Sequence, residues 1–256
     1  MPRILKTIEQ HVRVNLPRLK NYVKTKGVRK AAGRLVLAPL DIIRGYRRSA
    51  SYNADIPVSD EFDLKCGVET CLRVSSTDLI IKSPNWIHAE PYFPTPHGLL
   101  DEALEGLGIS FEHFCFIDLG SGKGRVLLLA SELSFRKIVG VEFSSELHTV
   151  AQRNIASYKS TTQQCRDITS VCMDFTEYDF PTEPLIIFLY NPASDVVIRK
   201  ASQNIIRSLN EHPREAWIVY VTPRDVFDSE PDFAKVRMSE HLGHSYWVSN
   251  NRAGTA

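Results

Sequence analysis

Asp118, Glu142 and Asp174 each close a short apolar run, and Gly120, Ser121, Gly122 and Gly124 follow directly on the first of them. Ionised carboxylates only accept hydrogen bonds, so three of them at successive run ends suit one ligand rich in hydroxyl and amine donors. Glycine at every second position suits a turn where the backbone passes close to that ligand, since a missing Cβ leaves room. Spacing rules out two other nucleotide turns. A dinucleotide turn places its third glycine or alanine where this chain has Arg125. A P-loop needs glycine where Ile117 stands, and Ser or Thr where Gly124 stands. Packing alone also produces glycine-rich turns between strand and helix, and that reading stands beside the ligand one.

Strands and helices must hold these residues. Asp118 lies near the end of a strand-like run from Phe116, and Arg125-Val-Leu-Leu-Leu-Ala130 reads as the first turns of a buried helix. The run from Lys137 to Glu142 is a second strand. After it comes Ser144 as a helix N-cap, with Leu147, Val150, Ala151 and Ile155 at helical spacing. Thr169 to Asp174 reads as a third strand ending in an acid, followed by Phe175. The continuous apolar run Leu185-Ile-Ile-Phe-Leu-Tyr190 is what a central strand covered on both faces looks like. Asn191-Pro192 then turns the chain, and the pair equally suits a plain reversal. An amphipathic helix from Asp195 to Leu209 and a fifth strand from Glu215 to Thr222 follow. The runs 234–238 and 245–249 suit a reversed strand pair. The connection from Ser239 to His244, with its two histidines, reads as a solvated turn, and no metal site is expected. Alternating strand and helix predicts an α/β fold with the ligand at the carboxyl edge of the sheet.

The acid-x-Gly-x-Gly-x-Gly turn at Asp118 to Gly124 resembles that of class I S-adenosyl-L-methionine (SAM) dependent methyltransferases. The likeness is to bacterial members of undefined substrate, which share Gly-Ser-Gly-Lys-Gly-Arg and a Tyr-Asn-Pro corner. Tyr92-Phe-Pro-Thr-Pro96 ahead of a helix on Leu99, Leu100, Ala103, Leu104 and Leu107 is similar to certain histone-lysine and mitochondrial ATP-synthase-subunit lysine methyltransferases. The resemblance runs from about Phe62 to about Val248 and implies a Rossmann-like, seven-stranded sheet, mostly parallel with a reversed C-terminal strand. It implies SAM as cofactor, bound by Tyr92, Thr95, Asp118, Gly120, Ser121, Gly122, Gly124, Glu142, Asp174 and Phe175. Glu142 is implied to face the ribose, Asp174 the adenine amino group and Phe175 the ring. Tyr190 and Asn191 are implied to line the acceptor pocket, although one proline and no aromatic follow Asn191 where nitrogen-methylating families have Pro-Pro and an aromatic. The favoured reaction is N-methylation of a protein lysine. RNA or small-molecule methylation and a catalytically silent SAM-fold binding module are the alternatives.

Charge divides the chain into a basic extension, residues 1–60, and a methyltransferase-like domain, residues 61–256. Thirteen Lys and Arg stand against Glu9 and Asp41 in residues 1–50, whereas the remainder holds eighteen bases and twenty-eight acids. Such an extension suits nucleic acid, an anionic membrane face or an acidic partner, and equally a helical arm packed on the domain. An organellar transit segment remains open. Five cysteines without paired spacing suit reduced thiols and a cytoplasmic setting, and no apolar run approaches the roughly 20 residues of a membrane helix.

Overall fold

A computed structural model describes residues 60–76, 79, 81, 83, 85–223, 233–241 and 244–251. The basic extension, including its apolar stretch 35–40, lies outside the described residues. Five strands form a parallel array: β1 (Cys115–Leu119), β2 (Lys137–Glu142), β3 (Ile168–Cys172), β4 (Leu185–Tyr190) and β5 (Ala216–Val221). β1, β4 and β5 are buried throughout except for half-buried Tyr190, as apolar runs broken only by Asp118 in β1 require of strands covered on both faces. β6 (Phe233–His241) and β7 (His244–Asn251) pair antiparallel, and β7 joins antiparallel to β5, giving the order β3-β2-β1-β4-β5-β7-β6.

Alternation along the strands sends side chains into two cores. Ile117, Leu119, Val139, Val141, Ile187 and Leu189 meet Val197, Ile198, Ala201 and Ile205 on one face of the sheet. Phe116, Ile138, Ile186, Phe188 and Val219 meet Leu99, Leu100, Leu127 and Ala130 on the other. After α1 (Glu61–Cys66) come two short buried helices, α2 (Leu99–Leu104) and α3 (Arg125–Ala130). In α4 (Ser145–Ser157), the Ser144 hydroxyl caps the N-terminus by accepting from the Leu147 N–H at 3.3 Å. α5 (Asp195–Glu211) carries its apolar stripe at four-residue spacing against the sheet.

This order reverses direction between β1 and β4. The chain leaves β1 towards β2 on one side, whereas β4 and β5 lie on the other, so a crevice opens where the two strands end. The glycine turn leaves β1 and the Asn191-Pro192 corner leaves β4 at this crevice. Three boundaries differ from expectation. β3 stops at Cys172, and Asp174 instead caps a 3-10 turn, Phe175–Glu177, by accepting from the Thr176 N–H. Helix α2 ends at Leu104, short of Leu107, with Gly106 and Gly108 both at positive φ just beyond it. The expected turn from Ser239 to His244 is mostly strand, because His241 and His244 are paired across the ladder and only 242–243 lie between.

Gly140, in the middle of β2, is a tight point of this packing. A Cβ there would stand 2.6 Å from both Leu127 Cδ1 and Ser121 Oγ. Gly140→Ala is therefore expected to lower stability by about 1–3 kcal/mol, read as a lower urea midpoint at unchanged m. A midpoint equal to that of the parent would show that the turn yields without strain.

Candidate functional site

The crevice is a narrow cleft with about 60 Å³ of space open to the centre of a water molecule. Asp118, Gly120, Ser121 and Gly122 line its floor, and Glu142 and Phe143 enter from β2. Phe175 enters from the turn after β3, and Tyr190, Asn191 and Pro192 from the end of β4. Tyr92, Phe93 and Thr95 cover it from the preceding segment. Parallel pairing sets Asp118 beside Gly140, two residues before Glu142, so the two carboxylates arrive at one end of the sheet.

Both carboxylates are nearly inaccessible, each 3% exposed. Glu142 Oε2 accepts from the Gly122 N–H at 2.8 Å and Oε1 from the Ser144 N–H at 2.8 Å, so it ties the glycine turn to the cap of α4. Burial pushes Glu142 up to about 7, against the pull of the Ser144, Gly122 and Phe143 N–H groups. Burial, then the neighbouring Glu142, raises Asp118 well above the usual carboxylate range, and no cation among the described residues offsets either effect. Beside them the Ser121 hydroxyl is buried without a hydrogen-bond partner among the described residues. A buried carboxylate pair next to an unanswered hydroxyl calls for a ligand that brings donors and positive charge.

The glycines serve packing as well, the reading that stood beside the ligand one. A Cβ on Gly120 would run into Pro192, one on Gly122 into the ring of Tyr92, and one on Gly124 would come 3.2 Å from Ala151 Cβ. All three glycines have positive φ. The bare backbone thus seats the Pro192 corner and the Tyr92 ring on the turn, and these side chains bound the space left for a ligand. Asn191 also has positive φ, 42°, a region asparagine tolerates better than most residues.

Asp174 corrects the reading as an adenine acceptor. Its Oδ2 accepts from the Ser83 hydroxyl and, at 2.8 Å, from Asn85 Nδ2. Its Oδ1 accepts from Thr176 N at 3.0 Å and Thr176 Oγ1 at 2.8 Å. Four protein donors fill the four acceptor positions of a carboxylate, and Asp174 does not line the cleft. Burial pushes it up, but the Ser83, Thr176 and Asn85 hydrogen bonds prevail and hold it below its ordinary value.

Several contributors escaped the sequence reading. Phe143 follows Glu142 into the cleft and Phe93 follows Tyr92. Arg125, itself part of the lining, reaches to the cover, and Lys123 pairs there with an acid, as expected of a lysine whose neighbours supply the turn's backbone. Lys123 Nζ meets Glu69 Oε1 at 2.7 Å. Arg125 meets Asp60 Oδ2 at 2.7 Å and Thr70 Oγ1 at 2.8 Å, and stacks 4.7 Å from the Phe62 ring centre. The Tyr92 hydroxyl donates to the Thr70 carbonyl at 2.7 Å. Asp60, Asp63 and Cys71 present ligand atoms within 4.8 Å of one another. Asp63, however, already accepts from Thr70 N, Thr70 Oγ1 and Cys71 N.

No family model matches the sequence, and no curated protein matches it. Among solved structures, the chain is similar to an RNA methyltransferase from Salinibacter ruber in complex with S-adenosyl-L-homocysteine. Identity is 20% over 64% of this chain and 95% of that one, with a TM-score of 0.47. It is also similar to a ribosomal protein L11 methylase from Lactobacillus delbrueckii subsp. bulgaricus, at 12% identity over 59% of this chain and 75% of that one, TM-score 0.44. A third is a SAM-dependent methyltransferase from Anabaena variabilis, at 12% identity over 61% of this chain and 84% of that one, TM-score 0.44. What the cleft does has to follow from its own side chains.

Between the unperturbed 4.5 and about 7, folded Glu142 holds a proton that the unfolded chain has lost. The folded state therefore binds more protons in that window, and this group's contribution to stability falls as pH rises through it. Glu142→Gln is expected to flatten the decline between about pH 5 and pH 8 by on the order of 1–3 kcal/mol, measured by urea unfolding. Identical slopes in parent and variant would show that no buried charge forms there.

Proposed function

We propose that the cleft binds S-adenosyl-L-methionine and that the protein is a methyltransferase acting on nitrogen, with a protein lysine as the favoured acceptor. The single observation that carries this reading is the pair of buried carboxylates, Asp118 and Glu142, both raised by burial and Asp118 also by Glu142, with no cation among the described residues offsetting either. A ligand that stabilises them must carry positive charge, hydroxyl donors and an apolar body. SAM has an ammonium, a sulfonium, a ribose diol and a flat adenine, and the lining supplies a counterpart for each.

Glu142 uses one lone pair of each oxygen on a backbone N–H, which leaves one on each for a ribose hydroxyl. Asp118 accepts no hydrogen bond among the described residues and would take the ammonium, with the Ser121 hydroxyl beside it. Phe143 and Phe175 offer apolar faces for the adenine, and Tyr92 and Thr95 cover the methionine end. Tyr190 and Asn191 would line the acceptor end. The cofactor supplies an activated methyl group on sulfur, so the protein has chiefly to position the acceptor and keep water out. The hairpin of β6 and β7, with β7 lying against β5, fits the seven-stranded sheet of this enzyme class. Four of the five cysteines are buried free thiols, which favours a cytoplasmic home. The basic residues 1–50 would engage an anionic partner.

Methyl transfer from labelled SAM to cell extract is expected to leave label on protein that resists nuclease. Nuclease-sensitive label would move the acceptor to RNA. Asp118→Asn should weaken S-adenosylhomocysteine binding by at least about tenfold in calorimetry without lowering the unfolding midpoint, because Asp118 gives up no hydrogen bond to the described residues. Unchanged affinity in that variant, or no binding by the parent, would remove the assignment.

A further inference from the structure

The cleft is smaller than the ligand its lining suits. About 60 Å³ of it is open to the centre of a water molecule, whereas sites for drug-sized ligands run to roughly 300–1,000 Å³. Some part of the lining must therefore move before such a ligand enters. The floor is poorly suited to that, since β1 is buried throughout and Phe188 and Leu189 of β4 are fully enclosed in the two cores.

Space is lost at the glycine turn. The Tyr92 ring lies so close over Gly122 that a Cβ there would run into it. The stretch around Glu69 that borders the ring is tied to α4 and the residues after it. The Glu69 N–H donates to Asn154 Oδ1 at 2.9 Å, and Asn154 Nδ2 donates to the Glu69 carbonyl at 3.0 Å. The Lys159 N–H donates to the Cys66 carbonyl at 3.1 Å. Tyr92 is fastened to this border by its hydroxyl, which donates to the Thr70 carbonyl at 2.7 Å. Its N–H donates to the Val74 carbonyl at 2.9 Å. Just before it, the chain is anchored to the end of the sheet by the Ala89–Ala193 bridge and by the Ser194 N–H, which donates to the His88 carbonyl at 3.1 Å. Pro91 and Pro94 bracket Tyr92 and Phe93, and the fixed φ of each stiffens the stretch that carries the ring.

We infer that Tyr92 is a gate: its ring blocks the approach to Gly122, swings off the glycine turn to admit the ligand, and closes over it afterwards. The identity of that ligand rests on the methyltransferase reading, whereas the opening of the gate does not, and the two are separable by experiment. Full-length protein is mixed with S-adenosylhomocysteine in stopped flow, following intrinsic fluorescence, and hydrogen exchange of the protein alone is measured in parallel. The observed rate is expected to level off at high ligand concentration, where opening limits entry. Tyr92→Phe keeps the ring but loses the bond to Thr70, and should raise that plateau about tenfold. Tyr92→Ala removes the ring and should show no plateau over the same range. In the protein alone, Tyr92→Phe should speed exchange of the amides of residues 92–95 about tenfold and leave those of β1 unchanged. Rates that stay linear and equal in parent and Tyr92→Phe would overturn the gate. So would exchange across residues 92–95 that does not respond to the substitution. A parent that binds no S-adenosylhomocysteine would sink the cofactor reading, and the exchange comparison would then decide the gate alone.

Discussion

Two carboxylates placed side by side at the buried edge of a parallel sheet are the constraint to which the site answers. Asp118 and Glu142 cannot both ionise cheaply where water is excluded, since charge on either raises the cost of charge on the other. Glu142 meets part of that cost by accepting two backbone N–H groups, and in doing so it sets the shape of the glycine turn. Gly140 lets Leu127 and Ser121 close in over β2, so floor and helix α3 become one packed unit. The remaining imbalance faces the cleft, where a cationic, hydroxyl-bearing ligand would relieve it.

The cover is part of the same unit. Arg125, 4% exposed, spends its guanidinium on Asp60 and Thr70, and Lys123 reaches Glu69, so the turn's own cations fasten the segment that carries Tyr92 and Phe93. A second fastening ties Ala89 to Ala193 and His88 to Ser194. Breaking one partner of a buried ion pair leaves an uncompensated charge. The described residues between 60 and 93 therefore cannot be treated as an outlying arm: they close the cleft from above.

Much of the frame was legible because local pattern determined it. Apolar runs, broken only by Asp118 in β1, fix β1, β4 and β5, and Ser144 with Leu147 and Ala151 announces α4, all from neighbours within one element. The glycine turn after β1 and the acid that ends β2 were legible as places in the fold for the same reason. Asp174 was not, because its fate is settled by Ser83 and Asn85, about ninety residues earlier in the chain. An acid after a strand looks the same in sequence whether ligand or protein fills its lone pairs. The task of Arg125 depends likewise on contacts across the fold. Phe143, by contrast, carried a readable signal, since it directly follows the acid at the end of β2.

Proton bookkeeping on ligand binding tests the central claim most directly. Calorimetric titration with S-adenosylhomocysteine at about pH 6, in two buffers of different ionisation enthalpy, counts the protons exchanged. A cationic ligand that stabilises ionised Asp118, with hydroxyls that stabilise ionised Glu142, should drive protons off the carboxyl pair, giving net release that fades above the Glu142 value of about 7. Binding with no proton release at that pH, or with uptake, would mean that the buried carboxylates do not meet the ligand.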